Sequence, residues 1–168
     1  FALVDMGIRP EASHHEMGPG QNEIDFRYAD PLTAADNAST FKWVVKSIAT
    51  SDGVWADFSP KPLADKPGNG MHINMSLESR DGQDHSAAFM AGILEHIREM
   101  TLFLNPIRES YERLGDMKAP KFVSWSEQNR SQLIRIPASR SDLKRFELRS
   151  PDPLANPYLA FELLIYAG

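Results

Sequence analysis

Two glutamates in the segment HHEMGPGQNEIDF, Glu16 and Glu23, have the residue type and spacing of metal ligands. Between them, Pro19 and Gly20 form a typical turn pair, because proline presets φ at the second turn position and glycine accepts a positive φ at the third. A tight turn at this point predicts an antiparallel hairpin in which Glu16 faces Glu23. Opposed carboxylates destabilise a sheet, whereas a divalent cation between them would be coordinated by hard oxygen ligands. The segment therefore predicts a metal-binding hairpin.

Two further segments alternate apolar and polar side chains with the period of a β-strand. The polar positions in residues 71–77 and 145–149 are His72, Asn74, Ser76, Arg145, Glu147 and Arg149. A solvated face of an antiparallel sheet is the alternative interpretation of such a pattern. These faces, however, carry residue types that coordinate cations and bind anions, so His72 and Glu147 are candidates for a second cation site. An imidazole in the ligand set is compatible with both Mn²⁺ and Mg²⁺.

The region from residue 113 to residue 149 is rich in arginine, although the chain as a whole is acidic. It contains Arg113, Arg130, Arg135, Arg140, Arg145 and Arg149. A solvated basic face is one interpretation of this cluster, but guanidinium groups also match phosphate and carboxylate in bidentate geometry. Two cations beside several arginines describe a site for phosphoryl transfer, in which catalysis is mainly positioning and charge neutralisation. The glycine-rich loop at residues 61–70 would let a ligand approach the backbone closely.

Three helices are predicted to position these groups. Asp30 and Pro31 have the residue types of an N-cap and a first helical position, and helical spacing of apolar residues continues to about residue 50. A second apolar stripe covers residues 90–104, and a third helix, apolar nearly all round, starts at Asn156 and Pro157. With the strands between them, the sequence predicts an α+β domain. We expect an antiparallel, strongly curved sheet with ligands on its concave face and helices on its convex face.

Composition excludes several classes of protein. The 168 residues suit a single domain, and the net charge of −5 argues against nucleic-acid binding. The sequence has no cysteine, which excludes disulfides and thiolate metal sites. No membrane-spanning run or signal peptide is recognisable, so we expect a cytoplasmic location. The first residue is Phe1 and the last, Gly168, follows a helical pattern directly, which suggests a piece of a longer protein.

Four motifs, in order and in register, resemble the catalytic domain of bacterial-type (class I) glutamine synthetase. These are HHEMGPGQNEIDF, KPGNGMHINMSL, NRSQLIRIP and RFELRSPDPLANPYLAF. The resemblance covers essentially the whole chain and implies a glutamine synthetase/guanido kinase-like catalytic fold. It implies ATP-dependent conversion of L-glutamate to glutamine, in which the side-chain carboxylate takes the γ-phosphate of ATP and ammonia then displaces phosphate.

The resemblance also implies roles for individual residues. Glu16 and Glu23 match ligands of a first Mg²⁺ or Mn²⁺ ion, and His72 and Glu147 match ligands of a second. The positions that match contacts to glutamate are Gly68, Arg113 and Arg149. The positions that match contacts to ATP are Asn74, Ser76, Arg130, Arg135 and Arg145. Arg149 is similar to the arginine that binds the reacting carboxylate, and Arg130 to one of the arginines that bind the nucleotide phosphates; these two are the predicted catalytic residues.

The sequence departs from the family pattern in three respects. The family completes each metal shell with a further glutamate from a preceding strand, and a smaller N-terminal domain contributes to the neighbouring subunit's active site. This chain contains neither, nor the C-terminal tail, so we expect residues 1–168 to be one partial catalytic domain that is inactive alone, from a parent that forms a homo-oligomer of dodecamer type. Lys118 stands where the family usually has a glutamate that accepts a proton from ammonium, with Asp116 nearby as a possible substitute.

Lys118 leaves two alternatives to ammonia ligation open. A cation at this position disfavours bound ammonium, which favours a γ-glutamyl–amine ligase that passes the same acyl phosphate to an organic amine. The other alternative is a non-catalytic regulator that binds nucleotide or glutamate. Retention of the four metal-ligand positions argues against the regulator.

Overall fold

The computed structural model describes residues 2–138 and 145–168, in five helices and six strands. In chain order the elements are α1 (Ala2–Asp5), β1 (Pro10–His15), β2 (Asn22–Phe26), α2 (Pro31–Ser51), β3 (Ile73–Ser76), α3 (Ser86–Leu104), α4 (Arg108–Arg113), β4 (Trp125–Glu127), β5 (Ile134–Ile136), β6 (Arg145–Leu148) and α5 (Pro157–Ala167). The predicted α+β class is confirmed. Among the described helices, none is long and apolar enough to cross a membrane.

The three predicted helices are confirmed, and side-chain caps define two of their starts. The Asp30 carboxylate accepts a hydrogen bond from the backbone N–H of Thr33, and Asn156 caps α5 in the same way. In both helices proline follows the cap, where its missing N–H costs nothing. Helix α3 begins at Ser86, four residues before the predicted apolar stripe, and ends at Leu104 before the Asn105–Pro106 break. The short helices α1 and α4 were not predicted.

A four-stranded sheet in the order β3-β6-β5-β4 carries the polar face that the alternation predicts. Strands β3, β6 and β5 pair antiparallel, as predicted. Strand β4 pairs parallel with β5 and departs from the predicted antiparallel arrangement. In one row across the sheet Glu147 lies between Asn74 and Arg135, and in the next row Leu148 lies between Ile73 and Ile134. Polar and apolar side chains are therefore separated onto opposite faces.

Helices α3 and α5 cover the apolar face of this sheet. The main core contains buried side chains of both helices and of β3, β5 and β6: Ile73, Ile93, Ile97, Met100, Leu104, Ile134, Phe146, Leu148, Ala160 and Leu164. Each fully buried isoleucine, leucine, methionine or phenylalanine side chain contributes roughly 1.5–3 kcal/mol. The core thus holds the opposite, polar face in place.

Strands β1 and β2 form a separate two-stranded sheet, in which the predicted pairing of Glu16 with Glu23 is wrong. Glu23 faces His14, and the Glu16 backbone N–H donates to the carbonyl of Gln21. The predicted turn does exist, since the Gln21 N–H donates to the Gly18 carbonyl and Gly20 has φ of +66°. Gln21 uses its N–H in the turn and its carbonyl to pair with Glu16. The loop between Glu16 and Gln21 therefore has four residues, instead of the two that the sequence predicted between the facing residues. The two glutamates are consequently diagonal neighbours.

A second, smaller core joins this hairpin to α1 and α2. It consists of the buried side chains Leu3, Ile8 and Val44, with Ile24, Phe26 and Phe41 packed against them. Helix α2 also contacts α5, where the Tyr158 hydroxyl donates to Asp36 at 2.6 Å. The Lys42 ammonium donates to the carbonyl of Pro153 at 3.0 Å. These contacts place the hairpin beside the end of β6.

Candidate metal and anion-binding site

A cavity of about 210 Å³ lies between the hairpin, the glycine-rich loop, the segment from Arg113 to Ala119 and the residue after β6. Six of the sequence-predicted site residues line it: Glu16, Glu23, Gly68, His72, Arg113 and Arg149. These residues come from four separate parts of the chain. The fold therefore brings together groups that the sequence places up to 133 positions apart.

The hairpin supplies a first group of candidate cation ligands. One ligand atom each from His14, Glu16 and Glu23 lies within 4.8 Å of the others. Burial raises the pKa of Glu23, and the neighbouring carboxylates of Asp25 and Glu16 raise it further. Clustered carboxylates that repel one another are the donor set that a hard divalent cation stabilises. The sequence reasoning missed His14, because its place opposite Glu23 depends on the true register.

Glu147 is the centre of a second, more buried group. Its side chain accepts hydrogen bonds from Arg135 on one oxygen and from Arg149 on the other at 3.0 Å, and His72 Nδ1 lies 3.2 Å from that second oxygen. Burial opposes the charge on Glu147, but the hydrogen bonds from His72 and Arg135 outweigh it and hold the pKa below the ordinary value. Burial also lowers the pKa of His72. A neutral imidazole beside an ionised carboxylate is a suitable cation-binding pair.

Arg113 and Arg149 place positive charge on the cavity wall. Arg113 is buried and donates to the backbone carbonyls of Ser150 and Arg149 at 2.8 and 3.1 Å. Burial lowers its pKa to about 10, opposed by Asp152, so it stays charged at neutral pH. In Arg149, Nη1 donates to Glu147, whereas the buried Nε donates to no atom among residues 2–138 and 145–168. A buried donor without a partner is costly, and an anion in the cavity would satisfy it.

The glycine-rich loop closes the site and requires glycine at two positions. A Cβ at Gly68 would lie 2.3 Å from the Pro60 carbonyl oxygen, and one at Gly70 would lie 2.6 Å from Arg113 Nη2 and 2.8 Å from His72 Nε2. The side chain of Gln21 donates to the carbonyl of Gly68 at 3.1 Å and ties the loop to the hairpin. Sequence reasoning selected Gly68 but did not single out Gly70.

The residues expected to contact ATP lie outside this cavity. Asn74, Ser76 and Arg145 are exposed on the polar face of the four-stranded sheet, where Ser76 pairs with Arg145. Arg135 lies on the same face and binds Glu147. Arg130 is exposed in the connection between β4 and β5 and is not among the described residues that line the cavity. Arg140, the sixth arginine of the cluster, falls outside the described residues.

The loop that carries Lys118 forms another wall of the cavity. Asp116, Met117, Lys118 and Ala119 all line it, and Lys118 is exposed. Asp116 is not free to act alone, because the buried ammonium of Lys61 donates to its carboxylate. Sequence reasoning identified Asp116 but missed Lys61, which lies 55 positions earlier in the chain.

Comparisons with known proteins identify relatives over the whole chain. Residues 1–168 match the family described as glutamine synthetase, catalytic domain. The chain is 50% identical to the glutamine synthetases of Methanosarcina mazei and Thermus thermophilus, over 100% and 99% of this chain and 40% of each relative. The cryo-EM structure of Plasmodium falciparum glutamine synthetase superposes with a TM-score of 0.91 at 34% identity, over 99% of this chain and 35% of that one.

A second solved structure, a GmaS/ADP complex, superposes with a TM-score of 0.87 at 34% identity, over 98% of this chain and 42% of that one. The chain spans about 40% of the length of the curated relatives it matches. The similarity therefore covers this chain almost in full and the relatives in part.

Proposed function

The chain belongs to the glutamine synthetase catalytic-domain family, and we propose that the protein containing it uses ATP to ligate ammonia to the side-chain carboxylate of L-glutamate. In the first step a carboxylate oxygen bonds to the γ-phosphorus and ADP leaves. In the second, ammonia attacks the acyl carbon, phosphate leaves with the C–O electron pair, and the nitrogen loses a proton. One cavity is lined by Glu16, Glu23, His72, Arg113 and Arg149, and Glu147 lies directly behind the His72 ring; this juxtaposition carries the proposal.

Divalent cations fit the donor sets of the cavity. We propose Glu16 and Glu23 as ligands of one Mg²⁺ or Mn²⁺ ion and His72 and Glu147 as ligands of another. Bound cations would neutralise phosphate charge during transfer. Side chains of the protein would hold glutamate and ATP in the orientation that the transfer needs. Charge and clustering support these assignments, because Glu147 is ionised and lies against the His72 ring.

Binding of glutamate is assigned to Gly68, Arg113 and Arg149. The unsatisfied Nε of Arg149 supports a role in holding the reacting carboxylate, since guanidinium groups bind carboxylates in fixed geometry. We propose ATP contacts at Asn74, Ser76, Arg130, Arg135 and Arg145, with Arg130 and Arg149 nearest to the transferred group. Their common polar face supports the assignment of Asn74, Ser76, Arg135 and Arg145.

We also propose that residues 1–168 form one partial catalytic domain and that the complete protein is a homo-oligomer, of dodecamer type by family resemblance. Large exposed apolar side chains support further contacts of this domain. Trp55 is 83% exposed and Tyr166 is 91% exposed. Single exposed aromatic residues are ordinary, but this chain exposes many, which is typical of a surface covered by the rest of a longer protein or by other subunits.

A γ-glutamyl–amine ligase is the second candidate function, and Lys118 is the observation that favours it. Its cation on the cavity wall disfavours ammonium, whereas the neighbouring Met117 and Met17 offer apolar contact to the carbon chain of an organic amine. In this alternative the acyl phosphate is the same and only the acceptor changes.

Phosphate release by the full-length protein tests the proposal. The reaction contains Mg-ATP and glutamate, with ammonium, with a panel of amines, or with neither. Ammonium-stimulated release with glutamine as the product is expected. Stimulation by an amine alone would favour the second candidate, and the absence of release under all conditions would contradict both. Arg149→Gln should abolish release, while Arg108→Gln, at an exposed site on α4, should not.

A further inference from the structure

His14 belongs to the same ligand group as the two hairpin glutamates. Its Nε2 lies 3.0 Å from Glu16 Oε1 and 3.9 Å from Glu23 Oε2. The register explains both contacts, because His14 faces Glu23 and Glu16, two residues later, continues the same face just after the end of β1. We propose that His14 is a direct ligand of the cation held by Glu16 and Glu23, and that its imidazole makes this site favour Mn²⁺ over Mg²⁺.

The separations suit one ion. Two ligands about 2.1 Å from an ion of this size and at right angles are about 3.0 Å apart, which matches the distance from His14 to Glu16. The longer distance from His14 to Glu23 is still below about 4.2 Å, the span between ligands on opposite sides of such an ion. One ligand atom of each side chain lies within 4.8 Å of the other two, so a single cation can contact all three after small side-chain rotations, without a change in strand register.

Access to the group is open on its outer side. The side chain of His14 is 47% exposed, and those of Glu16 and Glu23 are 31% and 38% exposed. The neighbouring His15 pairs with Asn22, and successive side chains of a strand point to opposite faces. His15 therefore lies on the face away from Glu16 and Glu23, which makes it a matched control for His14.

The chemistry of the ligands predicts the preference between metals. Mg²⁺ is best served by oxygen ligands alone, whereas imidazole nitrogen suits first-row transition ions, and carboxylates suit Mn²⁺ as well. One imidazole with two carboxylates is thus a better set for Mn²⁺ than for Mg²⁺. The inference deepens the proposed function, because it concerns a cation of the same cavity, but its test requires no turnover.

The experiment uses the full-length protein in a His72→Gln background, which removes the imidazole of the other candidate site. Mn²⁺ and Mg²⁺ binding are titrated, and bound Mn²⁺ is examined by pulsed EPR for coupling to imidazole nitrogen. We expect nitrogen coupling, its loss in His14→Gln, and weakening of Mn²⁺ binding by at least about tenfold. Mg²⁺ binding should stay within about twofold, which also reports that the hairpin is intact.

His15→Gln is expected to change neither the affinity nor the spectrum. Mn²⁺ bound without nitrogen coupling, an unchanged Mn²⁺ affinity in His14→Gln, or an equal loss of both metals would overturn the proposal. These outcomes are independent of phosphate release, so a protein that ligates ammonia but fails this test refutes only the role of His14.

Discussion

Lys61 joins two walls of the cavity, because its ammonium donates to the Asp116 carboxylate in the loop that carries Lys118. The Lys61 side chain is 4% exposed, and Asp116 is 41% exposed. Lys61 also donates to the Lys66 carbonyl at 2.6 Å, which closes the glycine-rich loop on itself. One buried cation thus fixes the relative positions of two loops.

Removal of Asp116 should destabilise the protein more than removal of Lys61. Asp116→Asn leaves the buried ammonium without its counterion and should cost about 2–3 kcal/mol, since an uncompensated buried charge is expensive. Lys61→Met removes the charge itself and should cost less. Urea denaturation of the full-length variants measures both effects.

The control is Asp65→Asn, which breaks the exposed pair with Lys66 and should change stability by less than about 1 kcal/mol. Equal effects of Asp116→Asn and Asp65→Asn would contradict the prediction.

Alanine at Gly70 should impair binding rather than folding. The added Cβ would push against the ends of the Arg113 and His72 side chains. Both side chains can rotate away, but they then leave the positions in which they line the cavity. We expect KM for glutamate to rise by about 10- to 100-fold, with a nearly native melting temperature. Gly68→Ala is the informative comparison, because its Cβ meets the Pro60 backbone and should lower the melting temperature. Identical behaviour of the two variants in both measurements would disprove this distinction.

Neutralisation of Lys118 should raise ammonium-dependent turnover. One unit charge about 4 Å from bound ammonium costs about 1 kcal/mol in water, so Lys118→Met should raise kcat/KM for ammonium about fivefold. Lys118→Glu should raise it further, because a carboxylate attracts ammonium and can accept its proton. The exposed Lys121 is not among the described residues that line the cavity, and Lys121→Met is the control. An unchanged rate in Lys118→Glu would sink this role for the position.

The cap of α2 should make stability depend on acid pH. The hydrogen bond from the Thr33 side chain lowers the pKa of Asp30, and the hydrogen bond from the Thr33 backbone N–H lowers it further. A lowered pKa in the folded state means that the contribution is present above the unfolded pKa and is lost as pH falls through the folded pKa. Asp30→Asn keeps an acceptor but cannot titrate, so its difference in urea midpoint from the parent should shrink between pH 7 and pH 2. Glu95→Gln, at an exposed position of α3, should show no such trend; the same trend in both variants would refute the assignment.

Local sequence determined the elements and the two faces of the main sheet. Alternation in residues 71–77 and 145–149 is a period-2 signal, and the structure pairs these polar positions on one face, with Asn74 opposite Glu147. The helix caps were equally predictable, because the N-cap side chain bonds to a backbone N–H only two or three residues later in the chain. Motif order was enough to indicate the family, which the comparisons confirm.

Tertiary contacts decided the rest. The hairpin register depends on how Gln21 divides its backbone groups between turn and ladder, while its side chain binds Gly68 and Asn69 nearly fifty positions away. For that reason the sequence selected Glu16 and Glu23 but placed them opposite each other, and it missed His14. The contact between Lys61 and Asp116 is likewise invisible to periodicity, because nothing local to either residue specifies a partner 55 positions distant. Residue type and spacing fix which groups a strand presents, but only the packed loops fix which groups meet.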